Sequence, residues 1–541
     1  MSTQFQPFVA QTQPTLLELL LQEQGGLSAV DSFADWHESD SIAAATYQAL
    51  MPATAPKTGQ QYAFEVDLDA CSGCKACVVA CHTLNGLEEN ETWRKVGALS
   101  SQSINALPIV QHVTTACHHC VDPACLNGCP VKAYEKDPLT GIVRHLDDQC
   151  FGCKYCTMMC PYEVPQYSGT LGIVRKCDMC SQRLGIGEAP ACVQACPNQA
   201  IRIAIVDVAV VISNTNCTKS ATSLVSTAPP SHITVPTTRY LSTQYGAATA
   251  HLLSNESIED KAHDGHLPLV AMIVLTQASV GMWFVLAVLG LVTAFSTHLF
   301  AAAFATTLGF IGVHAALLHL GRPWLAFRAF LGWRTSWLSR EAIGFGLFMG
   351  AAVAATGLRL VLPQQSVLHG LVETFVATLG LVAVTCTGMI YIATRRELWG
   401  HLRTGVDFGL SMIGLGLIGA FACIDGLPSF LPVIGVLCSM LAATAKLIDY
   451  KQGKSAKVLW DDFSARSGRV LRTELAGAWR VLWMLQGIAL ITSVSLYIID
   501  FGNTKPYLSY SVLAISLLAQ AIHRWLYFAS IAYRRMPGAS T

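Results

Sequence analysis

Charge is scarce in this chain. Only 13% of its 541 residues are Asp, Glu, Lys or Arg, against about a quarter in an ordinary soluble domain. Thirty-five basic and thirty-five acidic residues cancel to a formal net charge of zero; with no basic surplus to grip phosphates, no nucleic-acid partner is expected. Residues 1 to 60 contain no positively charged leader with an apolar core and no twin-arginine pair, so no export signal is expected there. No dinucleotide fingerprint follows a strand, and no nucleophile and base stand out, which argues against a catalytic subunit with its own substrate pocket.

Cysteine, by contrast, is abundant and localised. Sixteen of the twenty cysteines fall between Cys71 and Cys196, in four groups of four. The groups are Cys71, Cys74, Cys77, Cys81; Cys117, Cys120, Cys125, Cys129; Cys150, Cys153, Cys156, Cys160; and Cys177, Cys180, Cys192, Cys196. The first and third have the spacing C-x2-C-x2-C-x3-C, and Cys129, Cys160 and Cys196 are each followed by proline, the bacterial ferredoxin signature for [4Fe–4S] ligation. Two other readings compete. Structural zinc uses C-x2-C pairs but leaves the third cysteine of these runs poorly placed, and a disulfide framework suits such close, repeated spacing badly.

An internal repeat organises the region. D-A-C-S-G-C-K-A-C and D-Q-C-F-G-C-K-Y-C each follow a strand-like segment, Tyr62 to Leu68 and Gly141 to Leu146, and a turn at Asp137 to Thr140 lies between groups two and three. Groups two and three form one ferredoxin-like unit, one and four the other. In two-cluster ferredoxins the fourth cysteine of each run ligates the partner cluster. That rule gives four sets: Cys71, Cys74, Cys77, Cys196; Cys177, Cys180, Cys192, Cys81; Cys117, Cys120, Cys125, Cys160; and Cys150, Cys153, Cys156, Cys129. Four [4Fe–4S] clusters are expected. Lys75, Lys154, Arg175 and Lys176 neighbour ligands, where positive charge would raise a cluster's potential; they read equally well as solvated surface cations.

The second half is of another kind. Apolar runs of spanning length lie at about 268–290, 297–319, 341–361, 369–393, 406–425, 427–448, 481–499 and 507–529. The expected fold is an α+β double ferredoxin-like iron–sulfur domain followed by an all-α bundle of eight transmembrane helices. Its parts are an N-terminal arm (1–60), the four-cluster domain (61–206), a Ser/Thr/Pro-rich linker (207–265) and the membrane anchor (266–535). Arg322, Arg328, Arg334, Arg340, Arg395, Arg396, Arg403, the basic run from Lys446 to Arg480, Arg534 and Arg535 share the linker's side. By the positive-inside rule the cysteine domain faces the cytoplasm of a bacterial inner membrane.

His319 lies at the cluster-facing end of the second run, with Arg322 just beyond it and Glu341 opening the third. Ionisable residues at helix ends in a membrane are costly and often functional. A quinol gives up protons with its electrons, and histidine titrates in the right range. His319 is therefore the expected proton-handling residue of a quinone site, supported by Arg322 and Glu341; the plainer readings are a capping histidine and a positive-inside arginine. His314 reads as a packing residue. His266 and His401 could ligate haem, but no facing mid-helix pair appears, so no haem is expected. Cys217 reads as a bystander, and Cys386, Cys423 and Cys438 as small buried apolar residues.

Tyr62 to about Ile203, with C-H-H-C-V-D-P-A-C at 117 to 125 and R-K-C-D-M-C at 175 to 180, resembles the iron–sulfur subunit of the dimethyl sulfoxide reductase family of molybdopterin oxidoreductases. L-H-L-G-R-P at 318 to 323 and W-L-S-R-E at 337 to 341 resemble that family's eight-helix anchor, in which the matching histidine serves menaquinol. The resemblance implies a non-catalytic fusion of electron-transfer subunit and anchor, working between menaquinone or ubiquinone in the lipid bilayer and a separate molybdopterin-containing catalytic subunit. Rival readings are a cytoplasmic complex oxidising sulfite, or another donor, and passing electrons to quinone, and a bare anchor without quinone chemistry.

Overall fold

The computed structural model describes residues 47–100, 109–216, 223–243, 261–292, 299–362, 366–454, 461–499 and 504–538. The arm expected over 1–60 lies outside the described residues up to residue 46, as do Cys217 and residues 244–260 of the expected linker.

Alternating apolar residues build the first strand, β1 (Gln60–Asp67), which buries Ala63, Phe64 and Val66. Three hairpins follow: β2 (Lys95–Ser100) with β3 (Val110–Thr115), β4 (Tyr134–Lys136) with β5 (Val143–His145), and β6 (Gln166–Ser168) with β7 (Ile173–Arg175). The Asp137 carboxylate accepts from the amides of Leu139 and Thr140 at 2.8 and 3.1 Å, which closes the β4–β5 turn as an Asx turn. Loss of solvation is the largest single influence on Asp137 and raises it, but these bonds, with Arg144, together hold the carboxyl below the usual carboxylate range. β8 (Ile201–Asp207) returns antiparallel to β1 in the register Tyr62↔Ile205.

β9 (Arg239–Leu241) pairs parallel with β1 on its other side, so part of the segment whose composition reads as a linker belongs to this sheet. Its Ser/Thr content has a structural use. Thr237 Oγ1 donates to the His118 carbonyl at 2.8 Å, Thr238 Oγ1 lies 2.8 Å from His118 Nδ1, and Thr234 donates to the Tyr162 hydroxyl at 3.1 Å. These hydroxyls satisfy buried polar groups that would otherwise be costly.

Among the described residues, eight helices are long and apolar enough to cross a membrane: Leu267–Leu291, Leu299–His319, Trp337–Val361, Val367–Ile392, His401–Cys423, Leu431–Gln452, Ala476–Ile498 and Lys505–Ala529. They are called spans one to eight in that order. Spans three and five start earlier than their apolar runs, because Trp337 to Arg340 and His401 to Gly405 continue the helix into the polar interface. Glu341 therefore sits one turn inside span three rather than opening it. Gly426, at φ +82°, turns the chain between spans five and six. A further helix, Phe463–Arg472, is capped by Asp462, which accepts from Ala465 N at 2.9 Å.

The cysteine domain is seated on one end of the bundle by backbone contacts. Arg322 N donates to Phe151 O at 3.0 Å, Gly332 N to Pro130 O at 2.7 Å, and Ser336 Oγ to Gly128 O at 2.7 Å. After span eight the chain runs back over the same junction: Tyr533 bonds Glu163, and Met536 is buried in the core of the cysteine domain.

Candidate redox site

The two cysteine runs share one backbone. Gly73 and Lys75 have φ of 74° and 63°, Gly152 and Lys154 of 73° and 59°. Each lysine stands at the residue before a short helix, Ala76–Leu84 or Tyr155–Met159. Such alternation into the left-handed region turns successive amides inward, the nest found at many iron–sulfur sites.

Three cavities open inside these loops. Cys71, Cys74, Cys77 and Cys196 line one of about 310 Å³. Cys117, Cys120, Cys125 and Cys160 line one of about 360 Å³, and Cys129, Cys150, Cys153 and Cys156 one of about 280 Å³. Cys177, Cys180 and Cys192 all lie within electrostatic range of Cys81. Every described cysteine is unbridged. Four thiols around a void suit a cube. Burial pushes the Cys129, Cys160, Cys180 and Cys192 thiols up to about 11, so thiolates here need a strong positive partner. Amides also point at the sulfurs: Ala133 N to Cys129 Sγ at 3.2 Å, Ala200 N to Cys196 at 3.3 Å, Gly152 N to Cys150 at 3.4 Å and Met179 N to Cys177 at 3.4 Å. The donor set fits [4Fe–4S] clusters.

Of the four neighbouring cations, one is aimed at a ligand. Lys176 is buried, with Nζ 3.6 Å from Cys117 Sγ and 2.8 Å from Cys177 O, and it also bonds Val143 O. Lys75 is exposed, Lys154 lies over the Tyr167 ring, and Arg175 pairs with Glu91. Arg94 is a cation the sequence did not single out: 2% exposed, it acts on Cys77, Cys81, Cys177 and Cys192. No local spacing marks it, since the fold brings it there. Burial, reinforced by Arg94, brings His118 down to about 3 and keeps its ring neutral.

A fourth and larger cavity, of about 620 Å³, lies where the cysteine domain meets the bundle. Cys153, Lys154, Tyr155 and Met158 form one wall, and His266, Met272, His319, Glu341 and Tyr391 are among the residues opposite. Glu341 is 5% exposed and accepts from Thr387 Oγ1 at 2.6 Å. The Nδ1 of His319 is buried with no hydrogen-bond partner among the described residues. Tyr155 donates to Ile390 O at 3.1 Å, pinning the cysteine loop to span four. Loss of solvation, opposed by Asp264 and reinforced by Lys154, holds His266 below its usual range.

His319 and Glu341 thus share a cavity, while Arg322 does not line it. Arg322 donates to Asp147 O at 3.1 Å and stitches its loop to the cysteine domain. His314 is turned away, bonding Phe310 O at 2.8 Å. Sequence reading missed Tyr155, His266 and Tyr391 as wall residues. Tyr155 alone carried a signal, since the other copy of the repeat has Ala76 in its place.

Known proteins share both halves. A family model for the DMSO reductase anchor subunit matches residues 263–529, and one for a 4Fe-4S dicluster domain matches 109–206. The B subunit of the anaerobic dimethyl sulfoxide reductase of Haemophilus influenzae is 35% identical over 156 residues, covering 27% of this chain and 76% of that protein. The chain belongs to the dimethyl sulfoxide reductase family. As a member it joins an iron–sulfur electron-transfer subunit to a multi-pass membrane anchor in one polypeptide. Other relatives of the iron–sulfur half are the thiosulfate reductase electron transfer subunit PhsB of Salmonella typhi, 37% identical over 149 residues (27% of this chain, 77% of that one), and the hydrogenase-2 operon protein HybA of Escherichia coli O157:H7. The latter is 38% identical over 160 residues, 25% of this chain and 49% of that one, so the chain spans about half its length. The first cysteine run, Cys71 to Cys81, precedes the residues matched by the dicluster model.

Proposed function

We propose that this protein relays electrons between a membrane quinone pool and a separate molybdopterin-containing catalytic subunit. Four [4Fe–4S] clusters, held by the four crossed cysteine sets, would supply one-electron carriers between them. The observation that carries this reading is the junction cavity, whose walls include the ligand-set residue Cys153 on one side and His319 and Glu341 on the other. Tyr155 and Met158 set its apolar wall, His319 exchanges a proton with the quinone oxygen, and Glu341 stands ready as a second proton acceptor. The contacts that seat the cysteine domain fall on the segment between spans two and three, which carries Arg322, Arg328 and Arg334, with Arg340 in the first turn of span three; by the positive-inside rule this supports a cytoplasmic position for that domain.

The test replaces His319 with Ala in the complete complex. Quinol-driven reduction of the clusters, followed by electron paramagnetic resonance, should disappear while iron stays near the roughly sixteen atoms that four cubes require. Normal quinol-driven reduction in that variant would favour the bare-anchor reading. Protease access in sealed vesicles checks the side of the membrane.

A further inference from the structure

Beside the cavity, the bundle buries a second group of charges. Asp407 of span five accepts from Arg524 of span eight at 2.9 Å, and His523 Nε2 lies 3.7 Å from its other oxygen. Ser411 Oγ lies 3.1 Å from Gln520 Oε1. Nearer the cluster-facing end, Lys446 stands within electrostatic range of both Asp407 and Asp449. Asp449 is paired with Arg403 at 2.6 Å, and the Arg403 side chain is 27% exposed. Asp407, Lys446, Asp449, Gln520, His523 and Arg524 are all buried. Ionisable residues at such depth are expensive and commonly form proton relays.

Two observations set this group apart from a static ion pair. Hydrogen-bonding capacity is left over: His523 Nε2, Gln520 Nε2, Arg524 Nε and Nη1, and Asp449 Oδ2 are buried without hydrogen-bond partners among the described residues. Buried polar groups left over in this way are the usual binding points of internal water. The group also packs against the cavity wall. Thr404, one turn before Asp407, lies 3.0 Å through its hydroxyl from the Tyr527 hydroxyl, and the Tyr527 ring is 5.9 Å from that of Tyr391, a cavity wall residue. Another buried pair among the described residues, Arg359 with Glu373, sits at the far ends of spans three and four, away from the cysteine domain, and includes no cavity residue.

We propose that these groups form the proton route of the quinone cavity, running from Tyr391 through Tyr527, Thr404, Asp407 and His523 to Lys446 and Asp449 at the cluster-facing end, where Arg403 pairs with Asp449. The proposal rests on the quinone reading. Oxidising one quinol breaks two O–H bonds; two electrons leave toward the cysteine domain and two protons must leave the cavity. Hydroxyls, a carboxylate, an imidazole and buried water carry those protons to the aqueous phase on the cluster side, and quinone reduction runs the same route inward.

The test uses the complete complex in membranes, with Tyr527→Phe, Thr404→Val and Asp407→Asn variants. Each should retain affinity for a fluorescent quinone-site inhibitor yet oxidise quinol on the order of tenfold more slowly, with a larger solvent deuterium isotope effect. Asp407→Asn should recover part of its rate when a small permeant weak acid is added. Should Asp407→Asn fail to accumulate because Arg524 is left unpaired, the two hydroxyl variants, which keep charge and shape, decide. Rates within twofold of wild type, or a loss of rate that comes with a loss of inhibitor binding, would overturn the route. His319→Ala separates the two ideas: if it is inactive while the route variants run at full rate, the cavity stands and the route falls, and if it oxidises quinol normally, the cavity reading itself fails.

Discussion

The two copies of the C-x2-C-x2-C-x3-C run share a backbone and differ in what they face. In the outer copy Cys74 and Lys75 are exposed and Val79 is 64% exposed. In the inner copy Phe151 is 3% and Tyr155 2% exposed, buried against the bundle. Glycine and left-handed lysine at matching positions make the loop; the residues between them decide where it sits. Ser72 and Ala76 leave one run open to water, while Phe151 and Tyr155 dock the other on the membrane half. The repeated cysteine loop thus has one copy open to solvent and one docked on the bundle.

The widest split between the copies should come from removing one thiol in each. Cys156→Ala and Cys74→Ala should both lose about four of about sixteen irons. With Cys156→Ala, quinol should fail to reduce any remaining cluster, because the run beside the cavity is broken. With Cys74→Ala, quinol should still reduce the other three. Electron paramagnetic resonance of quinol-treated membranes, calibrated against dithionite, reads the difference; equal behaviour of the two variants would end the inner-and-outer distinction.

Tyr155 and Ala76 sharpen the comparison next. Tyr155→Ala deletes a buried ring and should cost about 3–5 kcal/mol, whereas Tyr155→Phe, which loses only the bond to Ile390 O, should cost about 1 kcal/mol. Ala76→Tyr, on a half-buried position, should stay within about 1 kcal/mol. Thermal unfolding of the purified complex checks all three.

The loop glycines follow. Adding a Cβ at either forces a left-handed conformation worth about 1–2 kcal/mol. At Gly73 the new atom meets the His112 ring at 2.6 Å, a side chain that can turn, but at Gly152 it runs into the backbone carbonyl of Gly172. Gly152→Ala should therefore lose a further 1–3 kcal/mol or so, with iron loss confined to the inner unit.

What the sequence disclosed about these copies was whatever is local. Cysteine spacing is a property of one loop, so the four cysteine groups stood out; an apolar run is a property of one helix, so eight spans were visible. Their ends were not, because polar residues such as Arg340 and Arg403 extend a helix past its apolar stretch. Neither was the third strand, since Thr237 and Thr238 look like linker until a buried His118 needs their hydroxyls. Arg94, His266 and Tyr391 join their sites across long stretches of chain, and no spacing could have paired them with Cys192 or His319.

Each unit also has its own buried cation, and here the smallest effects are expected. Lys176 Nζ lies 3.6 Å from Cys117 Sγ, and Arg94 serves the outer unit. Reduction adds a negative charge, which a buried cation stabilises. A hydrogen bond to a charged group is worth about 1.5–3 kcal/mol, but the cation interacts with both redox states and only the difference shifts the potential. With about 59 mV per tenfold for one electron, Lys176→Met or Arg94→Met should lower the potential of the nearest cluster by several tens of mV. Lys75→Met removes an exposed charge worth about 0.5 kcal/mol at most, roughly 20 mV, and salt should abolish its effect. Redox titration at two ionic strengths distinguishes them: a Lys75→Met shift as large and as salt-resistant as that of Lys176→Met would mean that sequence proximity, rather than burial, decides which cations tune these sites.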